Sequence, residues 1–396
     1  EALSKLGDPQ AVDPLIRELG GAHLGVRQSA AVALGELCGV ERLVKDLGHT
    51  NARVRQSAAW ALAKRGDSRG VDTLVQELAT GDSESRQEAA TALGGLGNAR
   101  ALEPLTLALA DGDPKVRRAA AAASETLGEV KWTRWVKGDD KDFERLGDSG
   151  QAQIVEPLIL AMEDPDRKDR EAAVKALAKL GDLRAVDSLI QALEDNDHSL
   201  RCAAARALGA LGDTRAVEPL IRAFSLSGME AAADALGTLG DTRAVEPLIR
   251  ALDKSPLAAA EALGELGDSR AVQPLIGTLW EFSYSRKKSA AALDKLGEPA
   301  WKEWVRGEDE DFTRLGTSGD PRAVVPLINA LERGKNYFET KCAVQALGSL
   351  GDPRALSPLA KALKDSRFRD VVVEALGKLN GVQTVQPLIQ SLGDMD

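Results

Sequence analysis

An internal repeat with a period of about 30 residues is the feature that most constrains how this chain can fold. The segment from Asp213 to Ala223 recurs letter for letter as Asp241 to Ala251. Looser copies begin near Asp8, Asp67, Asn98, Gln151, Asp182, Asp268, Asp320, Asp352 and Gly381. A second phrase ending in Ala-Leu-Gly-x-Leu-Gly follows each full copy. Two helical phrases in such a period predict antiparallel helix pairs that stack on one another.

The first phrase of each repeat has the composition of a helix start, and we call its helix A. Asp213 is placed to accept hydrogen bonds from the free amides of the first turn. Pro219 lacks an amide hydrogen and therefore fits only near the start of a helix. Val217, Leu220 and Ile221 recur at three- and four-residue spacing, which predicts one buried stripe.

The second phrase, helix B, is rich in small side chains. The residue before its final leucine is alanine at positions 33, 61, 92, 176, 207, 235, 262, 292, 346 and 375. Three residues earlier, alanine recurs at positions 30, 58, 89, 173, 204, 232, 259 and 343. Small residues on one helical face let two backbones approach closely, and a closing glycine such as Gly212 supplies the left-handed terminating conformation.

These patterns predict an all-α fold. We expect an α-solenoid, a right-handed superhelix of about 11–12 stacked helix pairs, forming a single domain over residues 1–396. The composition agrees, because aromatic residues make up only 4% of the chain while glycine reaches 37 residues. A core built from thin layers of small side chains needs few aromatic rings.

Composition also argues against several classes of function. The formal net charge of −10 disfavours a general binder of nucleic-acid backbones. No stretch of about 18 apolar residues predicts a membrane span. The cysteines, Cys38, Cys202 and Cys342, lie too far apart for a clustered zinc motif. No nucleophile–base pair, phosphate loop or metal cluster emerges from the motifs, so we expect no enzyme activity and no cofactor. We also expect a cytoplasmic location.

The phrase Asp-x-Arg-Ala-Val-Glu-Pro-Leu-Ile resembles the HEAT-like repeats named for phycobiliprotein (PBS) lyases, a subgroup of the HEAT and armadillo solenoids. Such repeats occur in bilin lyase subunits, in a diiron hydroxylase that acts on deoxyhypusine, and in many prokaryotic proteins. The hydroxylase resemblance implies His-Glu dipeptides as iron ligands. His23, His49 and His198 are not followed by glutamate, so we set the hydroxylase aside.

Two segments depart from the repeat in the same way, 129–150 and 298–319, and we call them the first and second insert. Trp132 and Trp135 are three residues apart and share a helical face, as do Trp301 and Trp304. A shortened helix pair whose aromatic rings fill the core is one interpretation, and an aromatic docking site is another.

Acidic runs accompany both inserts. They comprise Asp139, Asp140 and Asp142 in the first insert and residues 308–311 in the second. Calcium is an alternative for these residues, but the alternating ligands and turn glycine of an EF-hand loop are missing. The runs favour solvated acidic turns.

An arginine recurs seven residues before the final leucine of helix B. It occupies positions 27, 55, 86, 170, 201, 286 and 369. The row predicts a ladder in which each arginine pairs with an acid of the turn between helices, such as Asp195 or Asp197; the alternative is a phosphate-binding row. The two repeats of 213–267 shorten that turn and place Met229 and Pro256 at this position, which predicts a change of curvature near 225–260.

The outward positions of helix B form the natural binding surface of a solenoid, on its concave side. Relative to the final leucine they are minus six, minus two and plus two, which share one stripe. The residues we select from it as candidates for partner binding are Trp60, Lys175, Lys179, Arg206, Glu230, Asp234, Glu261, Glu265, Lys287 and Lys295. Their charges predict an acidic centre flanked by basic groups; the alternative is an ordinary solvated face.

The function expected from this pattern is a non-enzymatic scaffold that binds a protein or peptide partner along the helix B face. An acidic centre favours a basic segment of that partner and makes nucleic acid an unfavourable ligand. The alternative, implied by the resemblance alone, is a bilin lyase or chaperone-like subunit that acts on phycobiliproteins. The chain begins in a helix B phrase and ends after a helix A phrase. We therefore expect either a fragment of a longer solenoid or end-to-end self-association.

Overall fold

A computed structural model describes residues 9–128, 131–164, 166–279, 285–306, 310–334 and 337–379, together with Ile389. Apart from Ile389, the terminal phrases on which the end-to-end prediction rests lie outside these residues. The described residues contain helices, turns and bends but no strand, and the fold is an all-α solenoid as the repeat predicted. Contacts divide the chain into two units, Glu1–Ala207 and Leu208–Asp396. The expectation of a single domain stays a prediction.

The first unit consists of short helices joined by tight turns. Its α-helices are α1 (Val12–Leu19), α2 (Leu24–Cys38), α3 (Val40–Asp46), α4 (Ala52–Lys64), α5 (Ser68–Thr80), α6 (Ser83–Leu96), α7 (Leu102–Leu107), α8 (Pro114–Thr126), α9 (Asp142–Asp148), α10 (Val155–Ala161), α11 (Arg167–Leu180) and α12 (Val186–Ala192). Its 3₁₀ turns are Pro9–Ala11, Ala99–Ala101, Ala108–Ala110, Trp132–Arg134, Ala152–Ile154 and Leu183–Ala185. Helix α13 (His198–Leu211) crosses the division between the units.

The second unit repeats the same alternation. Its α-helices are α14 (Val217–Ser227), α15 (Glu230–Leu239), α16 (Val245–Ala251), α17 (Pro256–Leu266), α18 (Val272–Thr278), α19 (Arg286–Lys295), α20 (Ala300–Trp304), α21 (Asp311–Thr317), α22 (Val324–Arg333), α23 (Tyr337–Leu350), α24 (Leu356–Ala362) and α25 (Arg369–Lys378). Its 3₁₀ turns are Thr214–Ala216, Thr242–Ala244, Ser269–Ala271, Pro321–Ala323 and Pro353–Ala355.

Helix A begins as the sequence predicted. The backbone amide of Arg215 donates to Oδ1 of Asp213 at 2.9 Å, and a single 3₁₀ turn leads into α14. Pro219 then lies in the first turn of α14, where no amide hydrogen is needed. The side chain of Arg215 folds back on the same carboxylate, with Nη2 at 2.8 Å from Oδ2. This ion pair holds the pKa of Asp213 below its ordinary value.

Helix B packs through the small residues of its repeated phrase. A Cβ built on Gly209 would lie only 2.9 Å from the Cα of Ala235 in the next helix B, so only glycine permits this spacing. Ala232 and Ala235 are buried at the same interface. The helix ends at Gly240, whose φ of 68° is the left-handed cap that the sequence predicted.

The first insert adds a helix to one layer of its unit only. Helix α9 packs against α11 in the layer of B helices, where a Cβ on Gly147 would lie 2.8 Å from the Cα of Ala176. On the side of the A helices, residues 131–150 of the insert contribute only the 3₁₀ turn Trp132–Arg134. Helix α10 consequently packs directly on the 3₁₀ turn Ala108–Ala110 of the preceding repeat.

The second insert has the same construction within its own unit. Helix α21 packs against α23 among the B helices, and a Cβ on Gly316 would lie 2.8 Å from the Cα of Ala346. Among the A helices, α18 contacts α22 directly. The short α20 packs on α19. Each insert therefore adds one helix to the row of B helices in its unit and no α-helix, among its described residues, to the row of A helices. We call this arrangement a half-layer.

The two shortened turns of 213–267 are visible in the second unit. Only Gly228 and Met229 separate α14 from α15, and α17 begins at Pro256. Met229 and Pro256 are buried where other repeats carry the arginine. The predicted change of curvature stays a prediction.

Candidate interaction surface

The outward stripe of helix B carries four carboxylates in the second unit. Glu230 and Asp234 extend from α15 and are exposed, while Glu261 and Glu265 extend from the neighbouring α17. The buried alanines beneath these residues bring α15 and α17 into close contact. Together the four side chains form what we call the acidic patch.

Two lysines of α19 reach into the acidic patch. Nζ of Lys288 donates to Oε2 of Glu261 at 2.7 Å, and Lys295 forms an ion pair with Glu265. The sequence stripe predicted Lys295 beside the acidic centre, and its ion pair with Glu265 neutralises one member of the patch. Lys287, the other selected residue of α19, is exposed.

Lys288 was missed because it lies one residue off the predicted stripe. Its flexible side chain spans the distance between adjacent B helices, which a stripe counted along one helix cannot show. The hydrogen bond to Glu261 raises the pKa of Lys288, and the charges of Glu261, Glu230 and Asp234 act in the same direction. The acidic patch therefore attracts a cation at this point of the surface.

A second group of charges surrounds the first insert in the first unit. Lys175 and Lys179 of α11 are exposed and line a groove of about 470 Å³ together with residues of the insert. Nζ of Lys179 lies 2.9 Å from Oδ1 of Asp148, and that hydrogen bond raises the pKa of Lys179. Lys175 pairs with Glu171 within its own helix at 2.7 Å. Acids of the insert, not a partner, thus neutralise Lys179.

The remaining two selected residues of the first unit are not part of this group. Arg206 is exposed on α13 and does not line this groove. Trp60 on α4 is half-buried against the core of the first helices, with Nζ of Lys64 5.5 Å from its ring centroid. Its indole is therefore partly used for packing.

One position of the predicted stripe is not at the surface. Gln56 lies six residues before Leu62, the final leucine of its helix B, and therefore at an outward position of the stripe, but it is only 4% exposed. Its Nε2 donates to the carbonyl oxygen of Ser85 in the next helix B at 2.9 Å. This hydrogen bond holds the side chain between the two helices, so the stripe narrows at α4.

The arginine row makes structural ion pairs, as predicted, but only some of them reach acids of the turn between helices. Three pairs are made with acids inside helices instead, namely Arg27–Glu88, Arg55–Glu77 and Arg286–Glu339. Nη1 of Arg170 lies 3.0 Å from Oδ2 of Asp195 in the following turn. Arg86 binds Asp111 through Nε and Nη2 at 2.8 and 2.9 Å. Arg201 departs from the rule, because its Nη1 donates to the carbonyl oxygen of Asp195 in its own turn. These contacts occupy guanidinium groups that a phosphate would otherwise bind.

An eighth member of the row, Arg117, was missed. It lies seven residues before Ser124, which replaces the usual leucine and so hides the alignment. Arg117 is 2% exposed, and its Nε donates to Oδ2 of Asp142 at 2.9 Å. The guanidinium carbon also lies 5.1 Å from the ring centroid of Phe143.

The prediction of solvated acidic turns is therefore wrong for Asp142 and for Asp311, both of which are fully buried. Asp142 accepts hydrogen bonds from the backbone amides of Lys137 and Gly138 at 2.7 and 3.0 Å as well as from Arg117. Asp311 accepts one from the amide of Arg306 at 2.9 Å. Asp142 therefore joins its insert to Arg117 of the preceding helix B, whereas the described partners of Asp311 lie within its own insert.

The aromatic residues of the inserts divide by depth. Trp132 and Trp301 are 2% and 0% exposed and fill the core of their half-layers. Trp135 and Trp304 are half-buried against them, with ring centroids 6.0 and 5.3 Å apart. The core-filling interpretation therefore holds for the first tryptophan of each pair.

The chemistry available on this surface is ionic. Among the described residues, no three His, Cys, Asp or Glu side chains are grouped so as to hold a metal ion. None of the three cysteines, Cys38, Cys202 and Cys342, which all lie in the described part of the chain, forms a disulfide bond. Within the same residues, every helix is too short or too polar to cross a lipid bilayer.

The stacked helix pairs, close glycine–alanine contacts and capped helix starts define a repeat protein of the α-solenoid class. The chain belongs to the HEAT repeat family, whose model matches residues 40–125, 155–227 and 324–396. The model of the PBS lyase HEAT-like repeat matches residues 230–254 and 256–279 in the middle of the chain. No curated protein matches the chain as a relative.

The chain is similar to several solved structures. The complex of CpcE and CpcF of phycocyanin lyase from Nostoc sp. PCC7120 is 26% identical, covering 61% of this chain and 94% of that one, with a TM-score of 0.33. Importin beta is 16% identical, covering 97% and 68%, with a TM-score of 0.32. Human deoxyhypusine hydroxylase is 20% identical, covering 73% and 96%, with a TM-score of 0.25.

Proposed function

We propose that this HEAT repeat protein is a non-enzymatic scaffold that binds a basic segment of a protein partner along its helix B face. The acidic patch is the centre of the proposed contact. Membership of the HEAT family supports the general role, and the charges of α15 and α17 support the choice of partner.

The observation that carries the proposal is the position of Lys288. Its ammonium group lies over the acidic patch, and the raised pKa reflects first the hydrogen bond to Glu261 and then the surrounding carboxylates. A lysine or arginine of a partner would experience the same attraction. The ion pairs that Lys288 and Lys295 make are half-exposed, and such pairs contribute only about 0–1 kcal/mol each. A multivalent basic segment can therefore displace them.

Reversing charges in the acidic patch tests the proposal. The variant Glu261→Lys/Glu265→Lys removes two carboxylates and adds two ammonium groups on α17. We expect a partner isolated by affinity purification with the wild type to lose at least about tenfold in affinity, and to bind the wild type more weakly as salt rises.

The matched control reverses two charges on the A helices of neighbouring repeats. Glu218 of α14 and Glu246 of α16 are exposed, so Glu218→Lys/Glu246→Lys changes the net charge equally on the other helices. The control should retain the partner. Equal affinity of the wild type and the α17 variant would refute the proposed contact.

The second candidate function is a bilin lyase or chaperone-like subunit acting on phycobiliproteins. The observation in its favour is the match of residues 230–279 to the repeat named for those lyases. Co-expression with a phycobiliprotein and its bilin distinguishes the two functions. Covalent attachment of the chromophore that depends on this chain would support the lyase, whereas unmodified phycobiliprotein would support the scaffold.

A further inference from the structure

The A side of the first unit contains a groove beside the first insert. It lies between α5, α7 and α10 and has a volume of about 670 Å³. Because the insert supplies no α-helix between α7 and α10, α10 packs on the 3₁₀ turn Ala108–Ala110, and the groove opens next to this contact.

The lining of the groove is largely apolar. Leu78 and Pro157 are buried in its walls, and Pro104 and Leu107 are half-buried. Leu160 is 48% exposed at its edge, at an outward position where the two identical repeats carry the exposed Arg222 and Arg250. A concave apolar lining with an exposed leucine is the form that binding sites for apolar side chains take.

The charged groups of the groove are predominantly acidic. Glu103, Asp111 and Asp164 line it, against a single basic residue, Arg86. That arginine is held by both oxygens of Asp111 and by the carbonyl oxygen of Gly81 at 3.0 Å. Glu103 is exposed on the first turn of α7. The rim is therefore complementary to positive charge.

We propose that this groove docks a short peptide segment of a different protein, in which an aliphatic side chain is followed or preceded by lysine or arginine. The aliphatic side chain fills the space beside Leu107 and Leu160. The basic side chain pairs with Glu103 or Asp164 at the rim. This site is separate from the acidic patch and lies on the other layer of helices.

Comparison with the second insert shows which residues make the groove apolar. Leu160 and Asn329 follow the first tryptophan of their inserts at the same distance, and Leu107 and Gly277 occupy the same place in the preceding helix A. Nδ2 of Asn329 donates to the carbonyl oxygen of Gly277 at 3.4 Å. The second unit thus has a polar contact where the first unit has the half-buried Leu107 and the exposed Leu160, so docking is specific to the first insert.

A displayed peptide library tests the proposal without knowledge of the natural partner. Random peptides of roughly twelve residues are panned on the full-length wild type after depletion on Leu160→Asn, which introduces the residue of the second insert. We expect enriched peptides to pair an aliphatic residue with lysine or arginine. A synthetic peptide of that sequence should lose at least about tenfold in affinity for Leu160→Asn and bind Glu103→Gln more weakly.

The control is Leu226→Asn, which alters a leucine that is 88% exposed on α14 and lies outside the groove. It should bind the peptide like the wild type, and circular dichroism should show all three variants to be folded. The proposal is overturned if no peptide distinguishes the wild type from Leu160→Asn, or if the enriched peptides are acidic. It is equally overturned if sedimentation shows the wild type to self-associate and Leu160→Asn to be monomeric, because a second copy would then occupy the groove.

Discussion

The first and second inserts carry the same residue types in their interiors and different ones at their edges. Each buries a tryptophan, a phenylalanine and an aspartate at 2% exposure or less. Each stacks an arginine of the preceding helix B over the phenylalanine, at 5.1 Å for Arg117 and 5.3 Å for Arg286. The two inserts thus share the residues that are buried against neighbouring helices.

The edges differ at positions that meet solvent. Glu339 reaches Arg286 at 2.7 Å, whereas Asp169, its counterpart, is partly buried and burial raises its pKa. The helix A that follows begins with Gln151, which makes no capping bond, in one copy and with the capping Asp320 in the other. The shared interior contacts are therefore the ones that we expect to stabilise the half-layer, whereas the contacts at the edges can vary between the two inserts.

The largest expected effect comes from the buried tryptophans. Trp132→Ala and Trp301→Ala should each destabilise the protein by about 3–5 kcal/mol, because each leaves a cavity in a fully packed half-layer. Trp135→Ala and Trp304→Ala, which remove half-buried rings, should cost less. Thermal and urea unfolding measure all four. A clear difference between the two buried sites would break the equivalence of the inserts.

Removing the buried carboxylate should destabilise the protein more at the first insert than at the second. Asp142→Asn leaves Arg117 buried without its counter-charge and should cost about 3–5 kcal/mol. Asp311→Asn should cost less, because Arg286, which takes the place of Arg117 at the second insert, keeps its own ion pair with Glu339 at 2.7 Å. The exposed Asp148→Asn serves as the control and should change stability by less than about 1 kcal/mol. Equal losses of stability in Asp142→Asn and Asp311→Asn would show that Glu339 does not compensate at the second insert.

The sequence was sufficient for the features that are local. The cap at Asp213, the proline in the first turn and the terminating Gly240 each depend on a few neighbouring residues, and all are confirmed. The pairing of Arg170 with Asp195 was also predictable, because it recurs at a fixed period. Contacts that recur at a regular spacing can be predicted from the sequence alone.

Capping differs between the helices that follow the inserts, and its effect should be intermediate. Asp320 accepts from the amide of Arg322 at 2.8 Å, so Asp320→Ala should cost about 0.5–2 kcal/mol. Gln151→Asp should stabilise the other copy. The hydrogen bond from the Arg322 side chain lowers the pKa of Asp320, so its contribution is present above a pH of about 4 and is lost as the pH falls below it.

Unfolding between about pH 2 and 7 measures this contribution. Asp320→Ala should show a weaker loss of stability on acidification than the wild type, and Gln151→Asp a stronger one. Parallel pH profiles for all three proteins would contradict the assignment.

The smallest expected effect belongs to Asn329 and Leu160. Exchanging them, as Leu160→Asn/Asn329→Leu, should change stability by less than about 1 kcal/mol, because Leu160 is exposed and the bond of Asn329 to Gly277 is long. Peptide binding should nevertheless fall at the first insert. A large loss of stability would show that these residues pack the core and do not tune a surface.

What the sequence did not reveal depends on contacts between repeats or on broken alignment. Arg117 was hidden by Ser124, and the burial of Asp142 required knowing that the insert folds onto that arginine. Gln56 is buried because a carbonyl of the next helix lies within reach. Lys288 crosses between helices, which no count along one helix can show. Such contacts are set by packing distance, which residue spacing does not encode.

Hydrogen exchange at the inserts tests the central claim most directly, namely that each insert is a built layer of its stack. Mass spectrometry should find the amides of α9 and α21 protected to the same degree as those of α11 and α23. In Asp142→Asn, protection should fall in α9 and in the neighbouring α11 but not in α21. Rapid exchange of α9 and α21 in the wild type, like that of connecting loops, would contradict the account.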